Sequence, residues 1–234
     1  MSDAPRAAIS VVMPVLDEEA RIARRLTELA AMPGIGEVLV VDGGSRDRTA
    51  EIARAFPGVR VLAARRGRGP QMNAGAAVAR GAILLFQHAD VSLPADAAHW
   101  IGRVLARPGV VAGAFRTRTV AEGARSWVTP FLPLADLRSR LARLPYGDQA
   151  LFLRRETFAA AGGFPAEPLM EDLALARRLR RLGRIETVPA CVTVSGRRFV
   201  VRPVASALGM RVFPLLYRMG VPPRVLARLY GDPR

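Results

Sequence analysis

The run Ile9-Ser-Val-Val-Met-Pro-Val15, cut off by Leu16-Asp-Glu-Glu19, decides the fold class. Its apolar, β-branched side chains end abruptly in acids, as a buried strand does where it enters a loop. Residues 19–32 follow with Ile22, Leu26, Leu29 and Ala30 at helical spacing. Working outward, residues 37–41 read as a second buried strand that ends in Asp42-Gly-Gly-Ser45, and residues 47–56 as a helix capped by Ser45 or Asp47. Residues 59–63 are a third short strand, 71–79 a helix, and 82–87 a fourth strand ending at His88-Ala-Asp90. Strands alternating with helices predict βαβ units: an α/β fold with a mostly parallel, Rossmann-like sheet and helices on both faces.

Beyond residue 110 the pattern loosens. Residues 110–119 and 150–154 read as strands, 127–142 as irregular helix broken by Pro130 and Pro133, and 171–182 as a helix. In that last helix Leu173, Leu175, Ala176 and Leu179 oppose Arg177, Arg178, Arg180 and Arg181. No repeat or linker divides the chain, so a single domain over 9–200 is expected. A tail of residues 1–8 precedes it and a basic amphipathic segment, 201–234, follows.

With 234 residues, half of them hydrophobic, the chain can bury a full core and is not a disordered tail. Its single cysteine, Cys191, excludes a disulfide framework and suits a reducing compartment. All 35 basic residues are Arg, which reflects codon usage more simply than function, and with 20 acids they leave a net charge of +15. From residue 173 onward thirteen Arg face only Glu186 and Asp232, a net of +11. Charge gathered at one end predicts an anionic neighbour: lipid, nucleic acid or a phosphorylated ligand. Aromatics are only 6% and no RNP-like run occurs, which argues against nucleic acid and against a non-catalytic module built to bind it.

Residues 1–8 include Asp3 and no apolar core, unlike a secretory signal. The apolar stretch 208–221 carries Arg211, Pro214 and Arg218 and falls short of the roughly 20 residues that a spanning helix needs. It either packs on the domain or lies on a membrane surface, so the expected location is cytoplasmic, with peripheral attachment to an anionic membrane as one option.

In an open parallel sheet, ligands bind outside the carboxyl ends of the strands. Asp17 and Glu18, Asp42, and Asp90 all sit at such ends, although each taken singly could be a loop cap. No GxGxxG follows the first strand, and no GxxxxGK[ST] or GxSxG occurs, so a dinucleotide site, a P-loop and a hydrolase elbow are not expected. A sugar nucleotidyltransferase would want a Gly-rich loop where Pro14-Val-Leu-Asp-Glu18 stands. His99, in a helical stretch with Trp100, is read as a surface or packing residue.

The ordered set Ile9 to Glu19, Val40-Val-Asp-Gly-Gly-Ser-Arg-Asp-Arg-Thr49, Arg66-Gly-Arg-Gly-Pro-Gln-Met-Asn-Ala-Gly75, His88-Ala-Asp90, Gly162-Gly-Phe164 and Met170-Glu-Asp172 resembles family 2 glycosyltransferases of the GT-A fold. Tyr146-Gly-Asp-Gln149 and Tyr217-Arg-Met-Gly-Val-Pro-Pro223 are similar to a subgroup labelled arsenosugar-biosynthesis glycosyltransferases. The resemblance implies a metal-dependent, inverting transfer from a UDP-, GDP- or dTDP-sugar to a hydroxyl or similar acceptor, lipid-linked acceptors included. It implies a donor-binding half over about 9–118 and an acceptor half over about 119–200. Glu18 and Asp42 would hold the donor's base and ribose, and Pro14 and Leu16 would line the base. Arg68 and Asn73 would approach ribose and phosphates, although Arg65, Arg66 and Arg68 also read as a solvated charge run. Asp90 matches the last acid of a DxD motif and would bind a divalent cation, Mn or Mg. His88 stands where that motif has its first acid, and its role stays open between a ribose or phosphate contact and a second metal ligand. Asp172 would be the catalytic base, with Glu171 and Asp148 as fallbacks, although an acidic first turn is also ordinary helix capping.

Overall fold

The computed structural model describes residues 9–121, 129–133, 136, 137, 139, 144–197, 199 and 203–230. The tail 1–8 and most of the expected irregular helix at 127–142 lie outside them. Strand β1 (Ile9–Val15) is buried at every position, which is why its sequence shows no polar alternation. It lies between β2 (Ile35–Asp42) and β4 (Ile83–Phe86), parallel to both, with Val11 opposite Val38 and Leu85. Parallel β3 (Val59–Ala63) forms the edge beside β2. Helices α1 (Glu19–Ala30), α2 (Thr49–Arg54) and α3 (Arg68–Val78) make the crossovers. The expected strands and helices of this half therefore form, 9–15 and 59–63 with the expected ends and the others with ends shifted by up to three residues.

The second half extends the same sheet. After β5 (Val91–Ser92) and α4 (Ala97–Leu105) comes β6 (Val110–Val120), and β7 (Phe152–Arg154) inserts antiparallel between β4 and β6. Helices α5 (Arg155–Ala160) and α6 (Glu171–Leu182) lead into β8 (Arg184–Ser195), which runs parallel to β6 and antiparallel to β5. The strand order is β3-β2-β1-β4-β7-β6-β8-β5. Sequence reading missed β8: Glu186, Pro189 and several half-exposed positions interrupt its pattern, and its ladder with β6 is bulged between Phe115 and Arg116. The C-terminal segment forms α7 (Pro203–Arg218), with Pro214 inside it, and α8 (Pro223–Tyr230).

Two cores flank the sheet. Val11, Met13 and Val15 face α1 and α4 through Ile22, Leu26 and Ile101, whereas Val12, Leu39 and Val41 face α3 and α6 through Met72, Leu175 and Leu179. Helix α3 lies so close to the strands that a Cβ on Gly75 would meet Val41 Cγ2 at 3.0 Å and come closer still to Val12 Cγ1. Gly75→Ala therefore gains helix propensity but overpacks a well-filled core. The expected outcome is a loss of about 1 to 3 kcal/mol, read as a lower urea midpoint at unchanged slope.

Candidate active site

The cleft begins where β1 and β2 part. The buried Gln71 on α3 donates from Nε2 to the carbonyls of Val15 (2.8 Å) and Val41 (2.7 Å), and its Oε1 accepts from Gly67 N (3.3 Å). The strand ends and the start of α3 are thus held at fixed spacing around the opening. The two loops beyond are knotted by acids. Asp17 accepts from Arg46 N (2.8 Å) and donates its own backbone N–H to Ser45 Oγ (3.0 Å), while Asp42 accepts from Ser45 N (3.1 Å). Asp47 accepts from Glu19 N (3.0 Å) and Thr49 N (2.9 Å), so one carboxylate serves the starts of both α1 and α2. The cap expected of Ser45 or Asp47 is supplied by Asp47 from just ahead of Arg48, the residue at the cap position itself.

One cavity at the strand ends is lined by Pro14, Leu16, Glu18, Arg68, Gln71, His88 and Asp90, among others. Five of the expected donor residues and the expected cation ligand therefore share one wall. Two expected residues lie elsewhere. Asp42 is taken up by Ser45 beside the cavity, and Asn73 pairs both ends of its amide with the Phe164 backbone, at 2.8 and 2.9 Å. Asn73 thereby fixes the Gly162-Gly163-Phe164 turn to α3.

A second cavity is lined by Met72, Phe86, His88, Tyr146, Gly147, Phe164 and Asp172, among others. His88 borders both. A Cβ on Gly147 would lie 3.0 Å from His88 Cε1 and 3.5 Å from Asp172 Oδ2, so imidazole and carboxylate look onto the same spot. Asp172 accepts from Gly147 N at 2.6 Å and from Leu173 N at 2.7 Å, which fixes its carboxylate plane. The residue before the acidic pair, Met170, has φ of 66°, a left-handed backbone from which the helix starts directly at Glu171, and of the pair Asp172 lines the cavity. Burial pushes the Glu171 carboxyl up to about 7, the neighbouring Asp172 charge adds to the rise, and Arg68 opposes it. Burial also raises Asp172, against the pull of its two N–H donors and of Arg68. Asp148 lies near enough for its charge to raise Asp172 further.

One residue went unread in the sequence. Arg197, just past β8, donates to Glu18 Oε1 at 2.8 Å across 179 positions of chain. Ser195 N bonds the Asp90 carbonyl at 3.0 Å, so the end of β8 brings this guanidinium to the mouth of the first cavity. Only the unpredicted strand could have revealed it. His99 is exposed, as expected.

Among the described residues no group of three His, Cys, Asp or Glu is placed to cage a metal. Asp90 facing a cavity with His88 and Arg68 suits instead a cation held by one carboxylate, phosphate oxygens and water.

Several solved structures are similar. A mannosyltransferase from Pyrobaculum calidifontis, solved with GDP-Man and Mn2+, superposes with a TM-score of 0.68 at 22% identity, over 95% of this chain and 67% of its own. S. aureus TarS residues 1–349 with UDP-GlcNAc gives 0.61 at 20% identity, over 81% of this chain and 59% of that one. Glucosyl-3-phosphoglycerate synthase from Mycobacterium tuberculosis, with Mn2+, UDP and glucosyl-3-phosphoglycerate, gives 0.61 at 27% identity, over 92% of this chain and 81% of that one. No curated protein matches the chain significantly. The glycosyl transferase family 2 model matches residues 10–166, from the first strand to just short of the acidic pair, and on that ground the chain belongs to this family and is a nucleotide-sugar-dependent glycosyltransferase.

Proposed function

We propose that this glycosyltransferase inverts configuration at the anomeric carbon, with Asp172 as base and a divalent cation at Asp90. The observation that carries the reading is the pair of cavities sharing His88, one holding Asp90 and the other Asp172. A nucleoside diphosphate in the first cavity would leave its sugar at the common wall, with the base on the far side of that sugar. The acceptor hydroxyl oxygen bonds to the anomeric carbon as the bond to the diphosphate breaks. The electron pair leaves with the diphosphate, and the hydroxyl proton passes to Asp172.

Glu18, Leu16 and Pro14 are proposed to contact the base, and Arg68 and His88 the ribose and phosphates. Asp42 is proposed to reach the ribose from the rim, by exchanging its bond to Ser45. The cation, Mn or Mg, supplies neutralisation of the charge developing on the leaving diphosphate. The three neighbouring structures above hold GDP-Man, UDP-GlcNAc or UDP, and two of the three hold Mn2+, which supports UDP- and GDP-sugars as the first donors to test. The likeness of Tyr146-Gly-Asp-Gln149 to the arsenosugar-labelled subgroup names no acceptor.

Wild type is expected to show a Mn-dependent rise in melting temperature with at least one of UDP, GDP, dTDP and their sugars. Asp90→Ala should abolish the metal-dependent part. If no nucleotide stabilises the wild type in a metal-dependent way, the reading fails. Asp172→Asn should keep that donor shift and slow transfer by about 100- to 10,000-fold, and unchanged turnover would remove Asp172 as base.

The acidic pair also sets a pH dependence. Glu171 titrates higher in the fold, at about 7, than its ordinary 4.5. Its contribution to stability is therefore full below the lower value and lost as pH rises through the upper one. Between about pH 5 and pH 8, wild type should lose up to about 3 kcal/mol relative to Glu171→Gln in urea unfolding. Parallel stability curves for the two proteins would show that Glu171 ionises normally.

A further inference from the structure

Five of the eight large apolar side chains exposed among the described residues fall in the last two helices and the turn between them: Val212 (40%), Leu215 (57%), Met219 (72%), Val225 (44%) and Leu229 (67%). Val212, Leu215 and Met219 are spaced i, i+3 and i+7, one face of a helix turn by turn, and Val225 and Leu229 are spaced i, i+4. The inward side of α8 is served by Leu226, which is fully buried. The outward stripe is thus surplus to packing.

Around it the chain is purely basic. Residues 203–230 contain Arg211, Arg218, Arg224 and Arg228 and no acid, and the last three of these Arg are exposed. An apolar stripe flanked by Arg fits the boundary between headgroups and acyl chains, where methylenes are buried and guanidinium groups meet lipid phosphates. Nucleic acid would use the Arg and leave the stripe wet. Helix α7, at 16 residues, reaches only about 24 Å, and no helix among the described residues is long and apolar enough to cross a bilayer. The surface therefore lies on a membrane rather than in it.

The stripe is also tied to the catalytic side of the molecule. The Arg177 guanidinium of α6 sits 4.7 Å from the centre of the Tyr217 ring on α7, and the Tyr217 hydroxyl bonds Glu167, in the turn that leads to Glu171-Asp172. We infer that α7 and α8 dock the enzyme on an anionic lipid surface, which sets the Asp172 cavity beside the bilayer and favours an acceptor carried in lipid. The acceptor part of this inference rests on the proposed function; the docking part does not.

The test is flotation of the full chain with vesicles of phosphatidylcholine alone and of phosphatidylcholine mixed with phosphatidylglycerol. Wild type should float with the anionic vesicles, less so as salt rises, and poorly with the neutral ones. Combined Arg218→Gln, Arg224→Gln and Arg228→Gln should weaken binding by roughly 100-fold. Leu215→Asp with Met219→Asp and Leu229→Asp should abolish it. Both variants should keep the donor-induced melting shift of the wild type, so a failure of docking and a failure of the transferase reading separate on the same samples. Three results would overturn the inference: wild type that ignores anionic vesicles, apolar variants that bind as well as wild type, or a solution dimer that the Leu215 and Met219 changes dissociate. Tight binding of a single-stranded oligonucleotide that survives the apolar changes, with no vesicle binding, would assign the basic face to nucleic acid instead.

Discussion

Two backbone carbonyls, Val15 O and Val41 O, lie where the β1 and β2 ladder stops and a ligand cleft has to open. Left without donors in a buried setting, each would cost about 1 to 3 kcal/mol. The Gln71 carboxamide supplies both donors and uses its oxygen to hold Gly67 N at the start of α3. One side chain therefore lets the strands part, closes their hydrogen bonding, and places Arg68 at the cavity. Gly75, one turn further along α3, lets that helix lie against Val12 and Val41 closely enough for the reach to work.

The acids around the cleft divide their labour by what surrounds them. Asp17 and Asp47 accept from backbone N–H groups of the opposite loop, and Asp42 from Ser45 of its own, which turns two separate βα loops into one rigid rim. Glu171 and Asp172 sit in the opposite situation, withdrawn from water, where burial raises both, with the Asp172 charge adding to the rise of Glu171 and the Asp148 charge to that of Asp172. Asp172 is in addition held by a pair of N–H donors, Gly147 and Leu173, that favour its anion and oppose the effect of burial. Those two bonds orient its carboxylate beside His88, the disposition that the proposed base needs.

The net charge of +15 resolves into parts with different tasks. Arg68 lines the first cavity and Arg197 bonds its Glu18, Arg25 is buried against Glu28 and the Ala89 carbonyl, and Arg177 lies over Tyr217. Arg218, Arg224 and Arg228 are exposed and flank the apolar side chains Leu215, Met219, Val225 and Leu229.

The parallel half was legible because β1 and β2 are buried on both faces, and continuous burial writes itself into sequence as an unbroken apolar run that ends in polar residues. By itself the sequence determined the βαβ order, the strand-end acids, and the helix that opens with Glu171-Asp172, since each depends on neighbours in the chain. It did not yield β8, whose mixed exposure mimics a loop, nor Arg197, whose partner Glu18 is 179 positions away. Nor did it separate Asn73, spent on the Phe164 backbone, from the residues that line the cavity. Which polar groups face the cleft and which bond one another was decided only by the tertiary structure, because that depends on distances between segments that sequence spacing does not encode.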